Sequence, residues 1–386
     1  MNLTSSIVAA ARANVPLLVW SDPGLGKTAL AESAASVLTY TLPDGSVHPY
    51  RFISFSAAVL DPVYLGGVPM ASPDGGSLQF MLAGDFASLT DPSAPPTLLL
   101  VDELNRCSGP VMNLLLRLMQ ERMVGQYRLN PGVRIVATAN PADSGARPIS
   151  AALANRVIHL RLSPSDLIEG WHQWMRSQTP AHQLISAFLE RRPELAHAFP
   201  KSAAQQEGAW PSFRSWDNVG RLLSSMTPTR RLPDGSPAAL SVSDFRPYLS
   251  GPDGDGAALL CEGLVGGGPV VELFQWLRSA DIPHPADTLS GKAGFSPDLS
   301  VLTAQIISVV SMLRHPRGFN ATLWAGVGPF LARLSGPTGP ETRAAMSAMF
   351  VTGLFAPRDD GKKNIPDGWV PPVEVARSMA FATRPA

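Results

Sequence analysis

Between an apolar run ending at Trp20 and a helical pattern starting at Lys27, the chain reads Ser21-Asp-Pro-Gly-Leu-Gly-Lys-Thr28. Holding a phosphate needs glycines that let successive backbone N–H groups turn toward one anion. It also needs a helix N-terminus whose dipole favours negative charge, and a lysine that reaches the outer phosphates. Gly24, Gly26 and Lys27 supply these parts, Pro23, Leu25 and Ala29 complete the loop and first turn, and Thr28 offers a hydroxyl to Mg2+. Ser21 stands where the first glycine of the G-x-x-x-x-G-K-[ST] pattern is expected, a departure that bears on the tightness of the turn.

A second segment, Leu98-Leu-Leu-Val-Asp-Glu103, is an apolar strand ending in two carboxylates. A neighbouring strand of a parallel sheet delivers such groups beside phosphates held by the loop. Asp102 is the candidate for the Mg2+ shell, as in P-loop enzymes, and Glu103 the candidate general base or orienter of an attacking water.

Parallel strands flanked by helices must position these groups. Continuous apolar runs predict strands over 15–20, 51–56, 97–101, 134–138 and 157–162, with helices over 27–38 and 111–123. In the second of these helices, Leu114, Leu115, Leu118 and Met119 recur at helical spacing opposite Arg117, Glu121 and Arg122. After Pro164 the pattern is helical, broken by Pro/Gly-rich connectors at 228–237 and 251–256. Its best helix runs from about Asp298 to Leu313, with Leu299, Leu302, Ile306, Val309, Val310 and Leu313 on one face. Residues from about Arg358 onward read as an irregular tail.

With these elements in place, the chain resembles a AAA+ ATPase of the MoxR-like group, through Asp61-Pro-Val-Tyr-Leu-Gly-Gly-Val-Pro69, Asp102-Glu-Leu-Asn-Arg106 and Ala139-Asn-Pro141 as well as the loop. The resemblance covers residues 1–220 well and the remainder weakly. It implies an α/β core with a five-stranded parallel sheet over 1–165, a connecting helix and helical lid over 166–282, and a helical C-terminal extension over 283–386. It also implies ATP and Mg2+ as cofactors and a homo-oligomeric ring, usually a hexamer. A protein client and a von Willebrand factor A domain partner follow from the same likeness.

By position, Asn140 resembles the sensor 1 amide that contacts the γ-phosphate or the attacking water. Arg156 resembles the arginine finger that reaches a neighbour's site, with Arg147 and Arg161 as nearby competitors. Arg214, in Pro211-Ser-Phe-Arg-Ser-Trp216, resembles the lid's sensor 2. Residues 122–134 correspond to the family's pre-sensor hairpin and residues 66–81 to its helix-2 insert, both candidate client contacts.

Composition narrows the alternatives. Lys plus Arg and Asp plus Glu are 31 each, giving a net charge of +0, with only five lysines. A nucleic-acid-acting ring therefore lacks the global basic footprint such a motor uses, though the 26 arginines could still line a local pore. A nucleotide-holding subunit without turnover finds support only in Ser21. No Asn-Lys-x-Asp guanine-reading motif occurs. The two cysteines, Cys107 and Cys261, and seven scattered histidines show no zinc-ligand spacing. No basic region precedes the N-terminal apolar stretch, Arg12 interrupts it, and no run suits a membrane span, so a cytoplasmic protein is expected.

Overall fold

The computed structural model describes residues 3–72, 76–140, 148–226, 252–279, 282–283, 285–314, 321–334, 340–355, 369–373 and 375. The chain divides into two compact units, Met1–Leu167 and Ile168–Ala386.

The strands of the first unit are β1 (Leu17–Trp20), β2 (Thr39–Thr41), β3 (Val47–Pro49), β4 (Arg51–Ser56), β5 (Val68–Ala71), β6 (Leu78–Met81), β7 (Thr97–Asp102), β8 (Met123–Val124), β9 (Tyr127–Arg128), β10 (Val133–Ala139) and β11 (Ile158–Arg161). Its helices are α1 (Leu3–Arg12), α2 (Lys27–Val37), α3 (Pro62–Gly66), α4 (Gly84–Thr90), α5 (Gly109–Gln120) and α6 (Ala151–Ala154).

Five strands form one sheet in the order β11-β1-β10-β7-β4, and every neighbouring pair is parallel. The core strands and helices predicted from the apolar runs lie within one to three residues of their expected ends. This is the α/β arrangement expected of a AAA+ core.

Pleating explains why β7 is apolar throughout. Leu98 and Leu100 face the layer built from α1 and α2, packing with Ile7, Ala31 and Ala34. Leu99 and Val101 face the opposite layer, which holds Val111, Leu115 and Leu118 of α5. Because both faces are covered, alternation disappears and only a continuous run satisfies burial.

Three antiparallel hairpins decorate this core: β2–β3, β5–β6 and β8–β9. The third realises the hairpin expected within 122–134. The second falls in the segment expected to correspond to the helix-2 insert, 66–81, and pairs Val68 with Met81 and Ala71 with Leu78.

The Asp61–Pro69 motif has a local physical cause. The Asp61 carboxylate accepts the Val63 N–H at 2.9 Å and caps α3, which Pro62 opens. Gly67 follows at φ +88, where an added Cβ would lie 3.1 Å from the Phe80 Cβ and 3.2 Å from the Met81 carbonyl oxygen. A glycine there lets the chain turn against β6.

Helix α7 (Pro164–Ser177) leads into the second unit, and among the described residues beyond it every regular element is helical. Helices α8 (Pro180–Arg191), α9 (Ala203–Gln206) and α10 (Phe213–Met226) come first. Buried Trp216 packs edge-on against Phe188, and Trp171 stacks on Phe213 at 4.5 Å. The segment 251–256, expected as a connector, instead holds the start of a helix over Pro252–Val265. Pro252 suits a first helical position, and buried Ala257, Cys261 and Val265 recur every four residues, so packing outweighs the helix cost of the glycines.

The helix expected from Asp298 runs over Leu299–Arg314. Leu302, Ile306, Val309 and Leu313 pack with Trp324, Phe330 and Phe350, whereas Leu299, expected on the same face, is exposed in its first turn. The connector at 228–237 and most of the tail beyond Arg358 lie outside the described residues. Among the described residues no helix is long and apolar enough to cross a membrane.

Candidate functional site

Parallel pairing brings the C-terminal ends of β1, β7 and β10 to one edge of the sheet, the edge where open α/β sheets hold ligands. The loop leaving β1 turns through Gly24 and Gly26, both at φ +79, a conformation that glycine adopts at little cost. Gly26, in the left-handed region, is the N-cap of α2, and no side-chain hydrogen bond caps that end. Leu25, buried between the two glycines, anchors the loop in the core.

Lys27 folds back over the loop. Its ammonium donates to the Ser21 carbonyl at 2.9 Å, the Ser21 hydroxyl at 3.1 Å, the Asp22 carbonyl at 3.1 Å and Asn140 Oδ1 at 2.6 Å. Ser21 thus has a positive role where a glycine was expected, because its hydroxyl is one of the acceptors that hold the lysine. It also needs no glycine backbone: the described non-glycine residues with positive φ are Asn14, Glu103 and Arg122.

The Thr28 hydroxyl donates to Asp102 Oδ2 at 3.2 Å, across 74 residues of sequence. One hydroxyl and one carboxylate side by side suit Mg2+, a hard ion that keeps several waters and is completed by phosphate oxygens rather than by an all-protein cage. The donor set therefore fits the metal that the loop implies.

Glu103 sits one residue beyond the strand at φ +54, a left-handed conformation that costs an L-residue about 1–2 kcal/mol. Two bonds hold it there: its N–H donates to Asp102 Oδ1 at 3.1 Å and to Thr138 Oγ1 at 3.1 Å. Glu103 Oε1 pairs with the Arg106 guanidinium at 3.2 Å, and Oε2 accepts from the Ser56 hydroxyl at 3.4 Å.

Asn140, buried one residue past β10, contacts Lys27 as described, so the end of β10 and the loop meet. Arg156 is exposed on the surface of its own unit, and its guanidinium donates to the Ala152 carbonyl at 3.0 Å, not to the phosphate loop. Of its competitors, Arg161 lies over the Trp20 ring at 5.1 Å, and Arg147 is outside the described residues. Arg214 belongs to the second unit, exposed at the second position of α10.

Sequence reasoning passed over Thr138. Its hydroxyl donates to Asp102 Oδ1 in a short contact and accepts from Glu103 N–H, joining the two acidic residues. The available signal was its position two residues before Asn140, opposite Asp102 on the neighbouring strand. Ser56 and Arg106, the partners of Glu103, carried no separate signal.

No protein-family profile and no curated protein sequence matches the chain. Among solved structures it is similar to a candidate ATPase from Cytophaga hutchinsonii, at 14% identity and a TM-score of 0.29, covering 97% of this chain and 78% of that one. It is also similar to a point mutant of Thermotoga maritima RuvB, at 15% identity and a TM-score of 0.36, covering 76% and 77%. NtrX from Brucella abortus gives 17% identity and a TM-score of 0.35, covering 71% and 66%. At such identities and scores these likenesses carry no argument.

Proposed function

We propose that this chain is a Mg2+-dependent ATPase, a AAA+ ring protein of MoxR type that remodels or assembles a protein client. The observation that carries the reading is the contact of Thr28 with Asp102, with Lys27 on Asn140 beside it. Three motifs distant in sequence meet in the arrangement that phosphoryl transfer needs.

The loop N–H groups and Lys27 bind the phosphates. Thr28 and Asp102 hold Mg2+, which when bound offsets the charge of the phosphate oxygens. Glu103 takes the proton of the attacking water, and Asn140 orients that water and the γ-phosphate. Arg156 completes the site of a neighbouring subunit, and its exposure supports that role. Arg214 ties the angle of the lid, within residues 166–282, to the state of the nucleotide.

Client contact falls to the two hairpins β5–β6 and β8–β9. Val68, Met70 and Met81 are exposed on one face of the first, and Tyr127 Oη of the second donates to the Phe80 carbonyl at 2.8 Å, joining them. Exposed apolar side chains in one patch suit a protein surface rather than a polyanion. A hexameric ring and a von Willebrand factor A domain partner complete the proposal by resemblance.

Calorimetric titration with Mg-ATP tests the site. Lys27→Ala is expected to weaken binding by about 10- to 100-fold, since a charge-assisted contact of about 1.5–3 kcal/mol is lost from the phosphates. Equal affinity in the two proteins would place ATP elsewhere.

A further inference from the structure

The ladder between β7 and β10 ends at Val101 and Ala137, because the chain then turns left-handed at Glu103 and enters a short 3-10 turn over Leu104–Arg106. From that point β7 offers no backbone to the residues at the end of β10. Asn105 takes its place. Its Nδ2 donates to the Asn140 carbonyl at 3.1 Å, and its Oδ1 accepts the Asn140 N–H at 3.4 Å. A carboxamide carries one donor and one acceptor in the same plane, as a peptide unit does, so Asn105 acts as one further rung of the ladder.

Both residues are buried, Asn105 at 3% exposure and Asn140 at 4%, so water offers the Asn140 backbone little alternative. What is fixed in this way is the residue whose Oδ1 receives Lys27 Nζ at 2.6 Å.

We propose that Asn105 is a positioning residue for ATP turnover, acting through Asn140 by holding its backbone so that its amide stays aligned with Lys27 and the γ-phosphate. The same turn that sets Glu103 places Asn105 two residues later, so the attacking water would be aligned from both sides by one short segment. The inference rests on the ATPase reading above. Aspartate at 105 keeps the shape and the acceptor but sets an oxygen against the Asn140 carbonyl; alanine removes both bonds.

The test is a double-mutant cycle on steady-state turnover, with wild type, Asn105→Ala, Asn140→Ala and the double variant, and with Asn105→Asp and thermal unfolding alongside. Expected is a fall in kcat of about 10- to 100-fold for Asn105→Ala, of the size a misplaced group produces, with KM for ATP within about twofold of wild type. The double variant is expected to turn over no more slowly than Asn140→Ala, and Asn105→Asp, whose buried oxygen opposes the Asn140 carbonyl, to turn over no faster than Asn105→Ala.

Multiplicative losses in the double variant, or an unchanged kcat in Asn105→Ala, would overturn the role through Asn140. So would a collapse of the melting temperature in both Asn105 variants, which would make the residue part of the fold alone. An inactive wild type would instead remove the ATPase reading itself, an outcome separate from any of these.

Discussion

Glu103→Gln is expected to lower ATP turnover by about 10²- to 10⁴-fold while leaving Mg-ATP affinity within a few-fold of wild type, the range lost with a positioned general base. Glutamine matches the size of glutamate, still accepts a hydrogen bond from Ser56, and keeps the N–H contacts to Asp102 and Thr138 that hold residue 103 left-handed. It cannot take a proton from water. The lost ion pair with Arg106 is half-exposed and contributes at most about 1 kcal/mol, too little to confuse the result. Phosphate release measured beside a binding titration separates chemistry from affinity. Turnover above a tenth of wild type would sink the assignment of Glu103 as base.

Arg156→Ala is expected to cost about 10³- to 10⁵-fold, the contribution of an arginine that stabilises charge on a phosphoryl group in flight. The sharper result comes from mixing. Glu103→Gln subunits keep the finger and lack the base; Arg156→Ala subunits keep the base and lack the finger. If sites are completed between subunits, two inactive preparations recover turnover when combined, because some sites then pair an intact Glu103 with a neighbour's intact Arg156. Recovery should fade on dilution, and the rate per wild-type subunit should rise with concentration. Arg161→Ala serves as the comparison, since that side chain is already engaged with Trp20. A flat rate per subunit, with no recovery on mixing, would mean that each site is complete within one chain.

How far these features could be read from the sequence follows from where their causes lie. The strand Leu98–Val101 is legible because burial on both faces admits only apolar residues, and Lys27, Thr28 and Asp102 are legible because loop and strand end impose their types locally. The hairpin β5–β6 is not, since every residue of its two strands is exposed and no hydrophobic alternation marks it. Strand β8 is two residues long, too short for any period to show. The left-handed turn at Glu103 is equally hidden, because the hydroxyl that stabilises it comes from Thr138, 35 residues away. Asn105 stands inside a segment whose resemblance was plain, yet its work appears only when the end of β10 lies beside it. Leu299 shows the opposite error, an apolar residue in phase with its helix but one turn short of the neighbours that bury the rest.

Phosphate release from Mg-ATP by the wild-type chain, across a range of protein concentrations and with the divalent cation chelated in a parallel series, tests the central claim most directly. Release that needs the cation and rises per subunit with concentration is the expected result, because in the proposed mechanism Thr28 and Asp102 hold the ion and Arg156 serves a neighbour. Tight binding of Mg-ATP without release at any concentration would contradict it, and would leave a loop that holds the nucleotide without turning it over.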